Sequence, residues 1–359
     1  MNLTLHLTAD CNLRCRYCYE THNKQHMTFD TARRAVDLAF SYGHRTNGFS
    51  LFGGEPLLER PLAEEICRYA QAEARRRGVL VRFKMTTNGT LLDEDFLKFA
   101  GEHDLKIALS HDGLLQDEQR LTRDGRPTRA KLESVVDLLL AHQPNAVALQ
   151  TVTPATVGGM AASVLWLYER GFSRINSVMD YRPDAGWDDD SLGELKDQYA
   201  AVADLMEARF DERRPLLFLP FLVKISAYLN DRPCLECKLG LRQPSVAEDG
   251  AIYPCNQFLH LPDYRMGDVF AGIDGEKQRA IYAASLSPEP DCAGCAIEDR
   301  CRHHCACLNF SLTGHMHRVA PVQCEHERML IPTADALAAR LYDKKSARFL
   351  LHYREDPLE

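Results

Sequence analysis

The sequence predicts an α/β fold in which parallel strands alternate with helices, followed by a small cysteine-rich domain and a C-terminal helix. Three observations carry this expectation. Over the first two-thirds of the 359 residues, short runs of alternating apolar and polar residues are separated by stretches of helical periodicity. Beyond that part helical periodicity fades, and most of the remaining cysteines crowd into 234–324. Past residue 330 it returns, with Ala334, Leu337, Ala338 and Leu341 at helical spacing. The expected domains are 1–215, 216–330 and 331–359.

The first strand is expected over 2–8, where Leu3, Leu5 and Leu7 alternate with Asn2, Thr4, His6 and Thr8. A helix follows over 28–42, with Ala32, Ala35, Val36 and Ala39 on one face, Thr28 as N-cap and Gly43 as its stop. Further strands are expected at 48–52, 81–87, 106–110, 146–152 and 174–179, separated by helices near 59–77, 93–101, 130–142 and 159–170. Arg75, Arg76 and Arg77 before Gly78 are cations suited to a helix C-terminus. Asp188–Asp190 reads as a solvated run ahead of an amphipathic helix over 191–213. Strand–helix repetition implies parallel strands joined by right-handed crossovers. Six such units cannot close an eight-stranded barrel, so a partial barrel or an open sheet is expected. Either one builds its site at the C-terminal ends of the strands.

Composition narrows the function. Forty-three basic against fifty-one acidic side chains leave a net charge of −8, which argues against general nucleic-acid binding. No apolar run reaches the roughly 20 residues of a membrane span. The segment MNLTLHLTADC has neither a basic nor an apolar signal region, so a cytoplasmic protein is expected. Thirteen cysteines, an odd number, then point to metal or redox chemistry rather than disulfides.

Directly after the first strand, ADCNLRCRYCY places Cys11, Cys15 and Cys18 at C-x3-C-x2-C. Three soft thiolates without a fourth would leave one iron of a cubane cluster open to a substrate atom; a zinc site completed by His22 is the alternative. After the second strand comes Gly53-Gly54-Glu55-Pro56, where glycine allows close backbone approach and the carboxylate can accept from an ammonium. The spacing of the three cysteines, with Tyr17 in the aromatic position, resembles the signature of the radical S-adenosylmethionine (SAM) enzymes. The resemblance implies a partial (β/α)6, TIM-like barrel and a [4Fe–4S] cluster whose open iron binds the amino and carboxylate groups of SAM. Electron transfer to SAM would then yield a 5′-deoxyadenosyl radical that abstracts hydrogen. It also implies that Tyr17 lies near the adenine, that Gly53, Gly54 and Glu55 hold the SAM amino group, and that Arg120 pairs with the SAM carboxylate. Asn88 and Ser110, at the ends of the third and fourth strands, match family positions that contact SAM or substrate.

The later cysteines run Cys237-x12-Gly250-x4-Cys255, then Cys292-x2-Cys295-x5-Cys301-x3-Cys305, then Cys324. This pattern resembles the SPASM domain of radical SAM enzymes, which implies two auxiliary [4Fe–4S] clusters and hence an iron–sulfur domain. One would take Cys237, Cys255 and Cys305 with Cys234 upstream, the other Cys292, Cys295, Cys301 and Cys324. Cys67 and Cys307 are left over, Cys67 on the apolar side of a helix and Cys307 close enough to Cys305 to replace a neighbour as ligand. Two zinc ribbons are the alternative for this domain.

SPASM proteins mostly modify peptides, so the resemblance implies a ribosomally made precursor peptide as substrate. The products expected are a C–C or thioether crosslink or an epimerised residue. The competing reading is an anaerobic sulfatase-maturating enzyme, which forms formylglycine and carries a carboxylate base immediately after the cysteine matched by Cys255. Here that residue is Asn256, an amide that takes no proton near neutrality. An electron carrier or zinc-stapled binding protein is the non-enzymatic alternative. A reductant such as flavodoxin or ferredoxin and a separate leader-binding protein are expected partners. His111 and Asp112, with Asn256, are the candidate catalytic residues; Asp180 and Arg182 are further substrate-site candidates.

Overall fold

The computed structural model describes residues 1–230, 237–286, 292–301 and 305–354. Its main strands are β1 Asn2–His6, β2 Leu13–Cys15, β3 Thr46–Phe52, β4 Leu80–Thr87, β5 Leu105–Ser110, β6 Arg120–Thr122, β7 Val147–Val152, β8 Arg174–Met179, β9 Leu217–Phe218, β10 Ser245–Val246 and β11 Ile252–Tyr253. Its main helices are α1 Phe29–Ser41, α2 Arg60–Arg77, α3 Glu94–Glu102, α4 Arg129–His142, α5 Met160–Glu169, α6 Asp189–Arg209, α7 Leu219–Leu229, α8 Gly275–Ser285, α9 Ala306–Thr313 and α10 Pro321–Asp343.

Nine strands form one sheet in the order β11-β10-β1-β3-β4-β5-β7-β8-β9. From β1 to β9 every pairing is parallel. Strands added one after another through right-handed crossovers put all their helices on the same face. Leu3, Leu5, Phe49, Leu51, Phe83, Met85, Leu105, Ile107 and Leu109 are buried on that face against the helices. Full burial of a side chain such as Phe49 or Phe83 contributes about 1.5–3 kcal/mol.

Local chemistry sets the element ends. Thr28 Oγ1 accepts from the Thr31 amide at 3.2 Å and caps α1. Gly78 ends α2 in the left-handed conformation, φ 65°, after the three arginines expected there. Asp188 caps α6 through a reciprocal pair with Ser191, so the acidic run begins a helix rather than merely facing water. β1 stops at His6, short of the expected residue 8, because Thr8 turns away to donate to the Gln25 carbonyl at 2.8 Å.

Hydrogen bonding and helix run across both expected boundaries. The line between 215 and 216 does not divide the hydrogen bonding: β9 extends one end of the barrel sheet, and β10 adds beside β1 at the other. The line between 330 and 331 falls inside α10, which also carries Cys324 and spans Pro332 without a break. Lys224 on α7 and Glu327 on α10 form a buried ion pair, and Arg340 of α10 reaches Asp204 and Glu207 of α6. These contacts tie the last long helix to the barrel. Among the described residues, no helix is long and apolar enough to cross a membrane.

Candidate functional site

The loop after β1 lies across the C-terminal ends of the strands and carries Cys11, Cys15 and Cys18. It is stiffened by a ribbon too short to show any sequence periodicity: β2 pairs antiparallel with β6, setting Cys15 opposite Arg120 and Leu13 opposite Thr122. Gly53 and Gly54 let the end of β3 pass directly beneath. A Cβ on Gly53 would stand 2.3 Å from the Thr8 carbonyl, and one on Gly54 would stand 2.2 Å from that of Asp10. Gly53 also has φ +132°, which side-chain-bearing residues rarely adopt. The amides of Gly54 and Glu55 donate to the Thr8 and Asp10 carbonyls, each at 2.8 Å.

Glu55 is fully buried. Its carboxylate accepts from Thr87 Oγ1 at 2.7 Å, the Asn88 amide at 2.8 Å and the Leu57 amide at 3.0 Å, so it fastens the end of β4 to that of β3. Burial nonetheless raises its pKa, the three donors opposing the shift. Asn88 passes the order on, donating from Nδ2 to Asn12 Oδ1 at 2.9 Å and reaching Cys11 Sγ at 3.8 Å. The Leu13 amide also points at Cys11 Sγ, 3.4 Å away.

A second network holds the ribbon. Arg120 Nε donates to Asp112 Oδ2 at 2.9 Å, and Tyr17 donates to the same oxygen at 2.5 Å. Asp112 Oδ1 accepts from the Thr151 amide at 2.8 Å. The guanidinium lies over the Tyr17 ring, 5.1 Å from its centre, and Nη1 is 4.0 Å from Cys15 Sγ. Burial works against the charge on Arg120, but Asp112, Tyr17 and Cys15 together outweigh it and keep the pKa above the ordinary value. Ser110 is half-buried at the end of β5, two residues before Asp112.

These residues fit an iron–sulfur cluster. Burial pushes the Cys11 thiol up to about 12 and the Cys15 thiol to about 11, and raises that of Cys18. Three sulfurs so desolvated become thiolates only beside strong positive charge, which iron supplies. The N–H donors at Cys11 and the guanidinium at Cys15 are the contacts expected around ligating sulfur. Gly53 and Gly54 lie against the Thr8 and Asp10 carbonyls, so their missing side chains let the cysteine loop seat directly on the end of β3.

His111 does not join this group. Its ring packs 5.3 Å from that of Trp166 on the helical side of the sheet, Nδ1 accepts from the Gly113 amide at 2.9 Å, and Nε2 is buried without a hydrogen-bond partner among the described residues. Burial, then the charge of Arg120, lowers its pKa to about 3. Asp180 and Arg182 form a bidentate pair at 3.0 and 2.9 Å after β8, with the guanidinium close enough to Cys18 for their charges to interact. Asn256 bridges the two cysteine regions, accepting from Cys255 Sγ at 3.0 Å and donating to Tyr19 Oη at 3.1 Å.

Sequence reasoning missed Glu20 and Glu248. Burial, then the charge of Glu248, raises Glu20 to about 7, and Glu20 Oε1 is buried without a hydrogen bond among the described residues. Nothing in the spacing of two residues so far apart could have shown this.

Of the later cysteines, Cys234 lies outside the described residues. Cys305 and Cys307 stand with sulfurs 3.5 Å apart, and Cys307 also shares a hydrogen bond with Cys255 within reach of the charge of Cys237. Cys292, Cys295 and Cys301 lie on one segment of tight turns, in which the Cys295 amide donates to the Cys292 carbonyl at 3.0 Å. Cys324 occupies the first turn of α10. Cys67 is fully buried on α2, packed like any small hydrophobe.

Comparison with known proteins agrees with this geometry. The model of the Radical SAM superfamily matches residues 5–158. A serine-type anaerobic sulfatase-maturating enzyme of Klebsiella aerogenes is 32% identical over 322 residues, covering 82% of this chain and 76% of its own. The fold superposes on anSMEcpe with bound AdoMet and the Cp18Cys peptide with a TM-score of 0.83 at 19% identity, covering 95% and 99% of the two chains. It superposes on Streptococcus suis SuiB bound to precursor peptide SuiA with a TM-score of 0.63 at 14% identity, covering 90% and 75%. With cysteine loop, glycine cradle and overall similarity in agreement, the chain belongs to the radical SAM enzymes, in the family of the anaerobic sulfatase-maturating enzymes.

Proposed function

We propose that this enzyme takes hydrogen from a residue of a ribosomally made peptide and leaves a C–C or thioether crosslink, or an epimerised centre. The observation that carries this reading is Asn256. Sulfatase maturation, by the resemblance above, draws on a carboxylate at this position. Here an amide stands in its place, donating from Nδ2 to Tyr19 Oη at 3.1 Å. Formylglycine formation is the second reading, favoured by similarity to a sulfatase-maturating enzyme over 82% of the chain.

When bound, the reduced cluster and SAM supply a carbon-centred radical able to abstract hydrogen. Cys11, Cys15 and Cys18 would hold that cluster, in the first of three [4Fe–4S] sites. Cys237, Cys255 and Cys305, with Cys234 or Cys307, would hold the second; Cys292, Cys295, Cys301 and Cys324 would hold the third. The chain's own work is positioning. Glu55 fixes Asn88 and through it Cys11, while Asp112 fixes Arg120 and Tyr17 beneath Cys15. A flavodoxin- or ferredoxin-like donor and a leader-binding protein are the partners this reading needs.

The test is anaerobic reconstitution with iron, sulfide, dithionite and SAM, followed by assay for 5′-deoxyadenosine. Absence of the nucleoside with full iron loading overturns the enzyme reading. Nucleoside formation that survives Cys15→Ala overturns the assignment of the first cluster. A carbonyl-reactive product on a sulfatase-derived peptide decides for the second reading; a crosslinked product without a reactive carbonyl decides for the first.

A further inference from the structure

The face of the sheet turned away from the helices carries a row of four cations, three of which meet no carboxylate among the described residues. Strand alternation puts Arg82, Lys84, Lys106 and Arg174 on that face, and all four are exposed, whereas Phe83, Met85, Leu105, Ile107 and Ile175 between them are buried. The register sets Lys84 directly opposite Lys106 on neighbouring strands. Those strands lie about 4.8 Å apart, and Arg82 precedes Lys84 by roughly 6.6 Å along β4. Like charges in directly opposed positions destabilise a sheet.

Little on this face offsets them. The parallel strands β1, β3, β4, β5, β7 and β8 contain no Asp or Glu, in a chain whose net charge is −8. Among the described residues Lys106 meets a carboxylate, Asp104 at 2.5 Å, while Arg82, Lys84 and Arg174 meet none. Acidic residues elsewhere would repel a nucleic acid, but a short segment lying inside the curve of the barrel avoids them. The neighbouring positions on this face, Ala108, Val147, Leu149 and Asn176, are small, apolar or neutral, as suits a peptide backbone laid across them.

We propose that Arg82, Lys84, Lys106 and Arg174 form the floor of a binding groove for an acidic segment of the peptide substrate, holding it while the residue to be modified reaches the strand ends. This rests on the peptide-modifying reading above. It assigns the segment's chemistry, rich in Asp or Glu, and its place on β4, β5 and β8.

The test uses the full-length, anaerobically reconstituted enzyme and two fluorescein-labelled decapeptides of alternating glycine, one with Glu and one with Lys. Binding is followed by fluorescence anisotropy at low and moderate salt, and 5′-deoxyadenosine formation without peptide is measured alongside. The Glu peptide should bind and weaken with salt, and the Lys peptide should not bind. Lys84→Glu with Lys106→Glu should weaken Glu-peptide binding at least tenfold. Lys84→Gln should weaken it severalfold while raising the unfolding midpoint, because it removes the opposed charge; this variant guards against simple misfolding. No binding of the Glu peptide, equal binding by the charge-reversed enzyme, or tighter and equally Lys84-dependent binding of a ten-nucleotide RNA would each overturn the groove. Loss of 5′-deoxyadenosine formation in the unmodified enzyme would instead overturn the functional reading on which it rests.

Discussion

Arg120 and Asp112 meet at 2.9 Å beneath the first cysteine loop, with side chains 9% and 1% exposed. Tyr17 shares the same carboxylate oxygen. The arginine that the sequence suggested for the SAM carboxylate is thus already committed to a carboxylate of the chain itself. Asp112→Asn leaves a buried guanidinium without its counter-charge and should cost about 3–5 kcal/mol. Tyr17→Phe removes one donor and should cost about 1 kcal/mol. Urea unfolding of the reconstituted enzyme measures both, and the opposite ranking would contradict the network.

Gly54→Ala drives a methyl group against the Asp10 carbonyl, 2.2 Å from where the Cβ must stand. The cysteine loop has to lift, so iron bound per chain should fall while the circular dichroism of the barrel is kept. Gly78→Ala is the comparison, since nothing lies within 4 Å of its Cβ. It should cost about 1 kcal/mol through its left-handed φ and leave iron unchanged.

Stability should fall as the pH drops below the ordinary histidine range. Burial, then the charge of His260, lowers His6 to about 3, and neither of its ring nitrogens has a hydrogen-bond partner among the described residues. His111 is likewise lowered to about 3. Both are neutral in the folded and unfolded chain at pH 8. Below about 6.5 the unfolded chain takes up protons that the folded chain refuses until about 3. Each histidine should therefore remove about 2 kcal/mol of stability at pH 5. His6→Leu should make the loss between pH 7 and pH 5 about 2 kcal/mol smaller than in the unmodified chain, as read by unfolding midpoints.

Lys224 and Glu327 pair where their side chains are 1% and 5% exposed, and Lys224 also donates to the Arg300 carbonyl at 2.9 Å. Glu327→Gln should destabilise by about 3–5 kcal/mol, because a buried ammonium loses its counter-charge. Lys224→Met combined with Glu327→Leu should recover most of that loss. A double variant no more stable than the single one would show that the pair does more than neutralise itself.

Cys307 and Cys67 should separate cleanly. With Cys305 and Cys255 as neighbours of its sulfur, Cys307→Ser should alter the electron paramagnetic resonance signal of the reduced enzyme or lower its iron content. Cys67→Ser should leave both unchanged and cost stability, since it buries a hydroxyl in an apolar helix face.

The fold was legible because its signals are local. Leu3, Leu5 and Leu7 announce a strand, Thr28 a cap and Gly78 a stop through backbone and burial preferences that act within a turn or two. The ribbon of β2 and β6 escaped notice because three-residue strands show no period and their pairing joins the cysteine loop to a distant segment. Strand β10 escaped for the same reason, sitting inside a cysteine-rich stretch that reads as loop.

By itself the sequence determined the alternating parallel architecture, the cysteine loop at C-x3-C-x2-C, the glycine cradle and the later cysteine pattern, since each depends on spacing along a short stretch of chain. Only the tertiary structure decided that Asp112 holds Arg120 and Tyr17, that Asn256 reaches Tyr19, that Glu20 faces Glu248 and that Cys307 gathers with Cys255 and Cys305. It also decided that Lys84 and Lys106 oppose one another on an exposed face. These are contacts between residues remote in sequence. Their energies come from burial and from charges brought together in three dimensions, quantities that strand register and chain crossing set and that no local period encodes.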